Sequence, residues 1–95
     1  MSSVLSLPRE LTIYTVGELH PQWLDWLHTP GNDTVDAAPV DEVDAAGVQL
    51  LLSLRHALHN DTRRWLLLNP SPALVAACAT LGLASLLEPE PEPAP

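Results

Sequence analysis

The sequence is poor in basic residues, aromatic residues and cysteine, and each shortage excludes a class of function. It contains no lysine, and its four arginines are set against twelve acidic residues, which gives a formal net charge of −8. Phosphate backbones and anionic membrane surfaces repel a chain of this charge, so we expect no nucleic-acid partner. The single Cys78 cannot form an internal disulfide, and its alanine-rich surroundings predict a buried structural thiol.

The sequence also lacks the patterns of membrane proteins and of common enzymes. No basic segment leads into an apolar one at the start, and no apolar run approaches the roughly 20 residues of a membrane span. We therefore expect a cytoplasmic protein without direct membrane insertion. A P-loop, a CxxC pair and an HExxH motif are all missing, and His56 and His59 have no third ligand beside them. The sequence predicts no catalytic residue, no cofactor and no metal site.

Apolar residues nevertheless make up 46% of the 95 residues, and because phenylalanine is absent the core must rest on Leu, Val and Ala. This amount suits one domain, which we place at residues 1–87. Residues 88–95 alternate Glu and Pro before the final Ala-Pro. Repeated proline forbids a helix and disfavours a strand, so we expect a disordered tail there.

The first half of the chain predicts short strands around one helix. Residues 4–7 and 11–14 are typical of strands joined by a tight turn. Thr15 and Glu18 have the spacing of a capping box, and apolar residues then recur at helical intervals. Pro21 leaves two alternatives, a helix that begins at Pro21 or a single helix with a kink there. Residues 34–38 are a weak strand that follows from the order of the elements.

The second half carries the clearest local signals. Residues 45–59 have the apolar stripe of an amphipathic helix, and Asp44 is a good N-cap for it. Residues 64–68 predict a buried strand, with Trp65 partly exposed at its start. Ser71 and Pro72 begin another helix that Gly82 ends. The leucines of residues 83–87 fit either a last strand or a helical turn.

The segment VDAAPVDEVDAAGVQLLLSL, residues 35–54, resembles the core motif of STAS domains, the fold of anti-sigma-factor antagonists. In that motif a strand ends at an acid, here Asp36, and an Asp-Ser/Thr-Ser/Ala-Gly turn opens the second helix, here residues 44–47. The LTIYT segment and the WLLLNPSPAL segment extend the resemblance over residues 4–87. It implies an α/β fold with a mixed sheet of four to five strands and helices packed mainly on one face.

The resemblance also implies a non-enzymatic signalling adaptor. Its partner would be an anti-sigma factor or a kinase, and the LTIY and NPSP segments look most like small STAS proteins linked to chemotaxis-type histidine kinases. The alternative is a regulatory subunit of an ABC-type lipid transporter. Both would bind through the loop and N-terminus of the second helix, that is, through Asp36, Asp41, Glu42, Asp44, Ala45, Ala46, Gly47 and Gln49.

Position 45 departs from the switchable members of the family. In them a partner kinase phosphorylates the Ser or Thr that follows the turn's first Asp. Here that residue is Ala45, and Ala46 follows, so the usual phosphoacceptor is predicted to be absent. The nearby acids would repel a phosphate, which favours a protein-docking edge over a nucleotide pocket. The sequence leaves open whether Asp44 only caps its helix, and whether Asp36, Asp41 and Glu42 are only an ordinary solvated loop.

Overall fold

The elements of the chain follow one another in a βαβ-type order, consistent with the expected α/β class. A computed structural model describes residues 4–29, 31–32 and 34–88, so of the predicted tail only Glu88 lies inside the described residues. Three helices, α1 to α3, and five short strands, β1 to β5, are found in these ranges. In chain order they are β1 (Leu5–Ser6), β2 (Glu10–Leu11), α1 (Val16–His28), β3 (Thr34–Asp36), β4 (Glu42–Val43), α2 (Ala45–Asn60), β5 (Leu66–Leu68), α3 (Pro72–Thr80) and a 3-10 turn (Ala84–Leu87).

The strands form two parallel sheets, which corrects the expectation of one mixed sheet. One sheet has the order β1-β3-β5, and the other pairs β2 with β4. Strands β1 and β2 therefore do not form a hairpin. The amide of Leu7 still reaches the carbonyl of Asp36 on β3, but Pro8 has no N–H with which to continue the ladder. The carbonyl of Arg9 then accepts the amides of Asp41 and Glu42, which starts the second sheet.

The core is built from aliphatic residues and all three tryptophans. Trp23 and Trp26 of α1 are buried, as the apolar stripe predicts. Trp65 is fully buried, which corrects its expected partial exposure. Its indole N–H donates to the carbonyl of Leu86, 2.8 Å away, so the 3-10 turn both covers the ring and supplies its polar partner. The thiol of Cys78 is buried as expected.

Helix α1 runs from Val16 to His28 as one element with Pro21 inside it, which decides between the two predicted starts. The capping box predicted for Thr15 and Glu18 is not formed at the N-terminus of α1. The hydroxyl of Thr15 accepts the amide of Thr12, 3.0 Å away, and makes no capping bond to the helix. At the other end of α1, the guanidinium of Arg63 donates to the carbonyls of Leu27 and Asn32. This side chain therefore satisfies backbone groups where the first helix ends.

Helices α2 and α3 begin and end as the sequence predicts. Asp44 accepts the amide of Gly47 at the start of α2, and Ser71 accepts the amide of Leu74 at the start of α3. Gly82 follows α3 with φ of 70°, a conformation that glycine adopts without steric cost. The amide of Leu83 bonds the carbonyl of Cys78, and Gly82 bonds Ala79, which is the Schellman arrangement.

Glycine at position 47 allows α2 to lie directly against β2. A Cβ atom built on Gly47 would overlap the carbonyl oxygen of Leu11 and would lie 2.6 Å from its carbonyl carbon. Backbone atoms cannot move aside as a flexible side chain can. The close approach of the helix start to β2 therefore requires glycine here.

We predict that Gly47→Ala lowers the free energy of unfolding by about 1–3 kcal/mol or more, the usual cost of overpacking. The matched control is Gly17→Ala on α1, where an added Cβ meets nothing within 4 Å. The control should be neutral, or stabilising by up to about 1 kcal/mol, because alanine reduces the freedom of the unfolded chain. Urea denaturation of both variants measures the difference. Equal effects at the two positions would contradict the close contact with Leu11.

Candidate functional site

The predicted binding residues gather around the N-terminus of α2, where it meets the two-stranded sheet. We call this surface the acidic edge. Its members lie in β4, beside β4 or on the first turns of α2, and they are Asp41, Glu42, Asp44, Ala45, Ala46 and Gln49. Asp36 and Gly47, the other two predicted residues, are placed differently.

Asp44 holds the acidic edge together. One carboxylate oxygen accepts the amide of Gly47 at 3.0 Å, and the other accepts the amide of Ile13 at 3.0 Å, from a segment 31 residues earlier. These backbone hydrogen bonds, first that of Ile13 and then that of Gly47, lower the pKa of Asp44. Helix capping at Asp44 is therefore observed, and the side chain also fastens the loop before α1 to the start of α2.

Asp41 and Glu42 present their carboxylates to solvent beside Asp44. Both residues are exposed, and the carboxylate of Asp41 lies 3.2 Å from the guanidinium of Arg9. The two side chains of this ion pair are 67% and 82% exposed, so the pair adds little to stability and opens readily. The acidic side chains of this edge are thus available to a partner.

Asp36 ends β3 on the three-stranded sheet, apart from the strands that carry the acidic edge. Its carboxylate accepts the amide of Ala38 at 3.1 Å and the side-chain amide of Asn69 at 3.4 Å. The first bond shapes the turn after β3, and the second links that turn to the residue after β5. Asp36 is half-buried, and its bonds within the fold give it a structural use.

The remaining predicted residues lie in the first turns of α2 and differ in their exposure to solvent. Ala45 and Gln49 are exposed and Ala46 is half-buried, so their side chains lie at the surface. Gly47, also predicted as a partner-binding residue, is buried against Leu11. Its contribution is to let the helix start approach β2.

The structure adds two features that sequence reasoning missed. Residues 12–15 form a turn, although a strand was expected to continue through residue 14, and this turn exposes Ile13 and Tyr14 next to Asp44. The two threonines that flank this pair were the available signal, since their hydroxyls favour turns. The second feature is a shallow groove of about 380 Å³ between the start of α2 and α3, lined by Val43, Asp44, Ala45, Ala73, Ala76, Ala77, Thr80 and Leu81.

The described residues offer little to support chemistry at this surface. Within residues 4–29, 31–32 and 34–88, no three His, Cys, Asp or Glu side chains come together as a metal site. Burial raises the pKa of the Cys78 thiol, which disfavours the reactive thiolate. Over the same residues, no helix has both the length and the apolar character to cross a membrane.

We predict that ionised Asp44 makes stability depend on acid pH. Because its pKa is lower in the folded protein than in the unfolded chain, its contribution is complete above about pH 5 and is lost as the pH falls through the lowered value. Asn is as good an N-cap as Asp but cannot ionise. The urea midpoint of the parent protein should therefore fall more steeply below pH 5 than that of Asp44→Asn. An identical pH dependence of the urea midpoint in the two proteins would show that these hydrogen bonds do not favour the ionised form of Asp44.

Comparison with known protein families is consistent with the α/β fold described above. A family model described as "Mlab, STAS domain" matches residues 1–88, almost the whole chain. Searches of curated proteins and of solved structures gave no significant match. The matched region includes every element of the fold and the whole acidic edge. By this match, the chain belongs to the STAS domain family.

Proposed function

We propose that this protein is a non-enzymatic STAS adaptor that binds a protein partner through its acidic edge. STAS domains generally act in signalling and bind protein partners, as anti-sigma-factor antagonists do. The observation that carries the proposal is the exposure of Asp41, Glu42, Ala45 and Gln49 around the N-terminus of α2. The partner is an anti-sigma factor or a histidine-kinase-type protein, including the chemotaxis-type kinases that the LTIY and NPSP segments suggest.

The chemistry of position 45 supports an adaptor without the usual phosphorylation switch. Ala45 is the exposed first residue of α2, the place where switchable relatives carry Ser or Thr. Neither Ala45 nor Ala46 has an oxygen that accepts a phosphoryl group. Phosphorylation at these two positions therefore does not control binding at this edge.

The charge of the edge supports a basic partner surface. Asp41 and Glu42 are exposed, and Asp44 completes a run of three acids in four residues. Such a patch raises the rate at which a basic surface finds the edge, and the effect weakens as salt is added. The small side chains of Ala45 and Ala46, with the groove toward α3, let that partner approach the helix start closely.

A regulatory subunit of an ABC-type lipid transporter is the second candidate. The resemblance of the sequence to STAS domains implies this alternative, and the word Mlab in the description of the matched family model supports it. It uses the same edge and differs in the partner, which would be the ATPase subunit of the transporter. Affinity purification of the tagged full chain from its native host, followed by mass spectrometry, tells the two apart. A kinase or anti-sigma factor supports the adaptor, and transporter subunits support the alternative.

We predict that Asp41→Lys weakens the complex with the purified partner by about tenfold or more in Kd at low salt. The matched control is Asp25→Lys, an exposed acid on α1 outside the edge. The control changes the net charge equally, so it corrects for long-range attraction. Isothermal titration of each variant with the purified partner, at two salt concentrations, measures the two Kd values. Equal losses for the two variants, or no specific partner in the purification, would contradict the proposed function.

A further inference from the structure

We propose that the turn formed by residues 12–15, between β2 and α1, is the apolar anchor of the partner interface. The occupant that we infer is a protein surface with an apolar pocket bordered by Lys or Arg. The inference rests on the proposed function, because it names the segment beside the acidic edge that gives most of the binding energy and the kind of partner surface that fits it.

The turn places two large apolar side chains in water. Tyr14 is 87% exposed and Ile13 is 60% exposed, more than any other large apolar residue of the described chain. They are adjacent in sequence, and a bond from the amide of Ile13 ties them to Asp44. Tyrosine is enriched among the few residues that carry most of the energy of protein interfaces.

The backbone of the turn is already held in one conformation. The amides of Thr12 and Tyr14 donate to the hydroxyls of Thr15 and Thr12, at 3.0 and 3.2 Å. The amide of Thr15 donates to the carbonyl of Thr12 at 2.9 Å, and that of Ile13 donates to Asp44. All four amides of the turn are thus bonded. A partner that binds Tyr14 therefore loses little affinity to the ordering of this loop.

The strands below the turn favour a basic rim around the partner's pocket. In the parallel register of β2 and β4, Glu10 lies opposite Glu42. Like charges at opposed positions of a sheet destabilise it, and a cation placed over the pair removes that repulsion. Asp44 adds a third carboxylate, and Asp41 adds a fourth when its exposed ion pair with Arg9 opens. Lys or Arg on the partner meets this excess of negative charge.

Site-specific crosslinking of the full chain tests this inference. A photoreactive benzoylphenylalanine replaces Tyr14 in one protein, Asp41 in a second and Leu24 of α1, which is 38% exposed, in a control. Each is irradiated in a lysate of the native host, and the crosslinked peptides are sequenced. We expect positions 14 and 41 to capture the same protein and position 24 not to capture it. The peptide joined to position 14 should be apolar with Lys or Arg beside it.

The captured protein is then purified and titrated against Tyr14→Ala and Leu24→Ala. Tyr14→Ala should raise Kd by about tenfold or more with an unchanged thermal midpoint, and Leu24→Ala should leave Kd within about threefold. Capture from position 41 without position 14, an acidic crosslinked peptide, or equal Kd values for the two variants would overturn the anchor and leave the proposed function standing. No capture from either position would overturn the proposed function itself.

Discussion

The carboxylate of Asp44 is the interaction on which the site depends. It accepts the amide of Ile13, which precedes α1 and lies 31 residues earlier in the chain, and the amide of Gly47 in the first turn of α2. The amide of Asp44 also donates to the carbonyl of Leu11 at 3.3 Å, so the backbone and the side chain of Asp44 both bind residues 11–13. Because Gly47 has no Cβ, the helix start reaches the backbone of Leu11. The start of α2, strand β2 and the turn of residues 12–15 are thereby one structural unit.

This unit explains how a small domain holds the start of α2 in place at its surface. A helix N-terminus needs acceptors for its first amides, and Asp44 supplies one from within the chain. Ala45 then follows at the surface with no polar group of its own. The surface around this helix start consists of the carboxylates of the acidic edge and the exposed side chains of Ile13 and Tyr14 beside them. We propose that the charge and shape of this surface determine the affinity for a partner.

The sequence predicted best those parts of the fold that local signals determine. Helix α2, its Asp44 cap, the Ser71 cap of α3 and the Gly82 ending depend on residues within one turn of each other, and all four are found. Strand β4 has two residues and shows no periodicity, so its pairing with β2 was not predictable from pattern.

Contacts between distant segments account for the other differences. Trp65 is buried because residues 84–87 fold over it, about 20 positions later in the chain. The hydroxyl of Thr15, expected to cap α1, is used inside the turn instead. The sequence predicted the acidic residues and Ala45 of the site. It did not predict the exposure of Ile13 and Tyr14, because the bond that ties their turn to Asp44 joins distant segments. The burial of Gly47 was not predictable from local pattern, because its contact with Leu11 joins distant segments.

Amide hydrogen exchange of Ile13 tests the central claim most directly. No bond within its own turn protects this amide, so any protection comes from the Asp44 carboxylate. The account predicts that Ile13 exchanges slowly in the parent protein and becomes fast in Asp44→Ala, while the amide of Leu58 in α2 stays protected in both. An Ile13 amide that exchanges at the rate of an unfolded chain in the parent protein would contradict it.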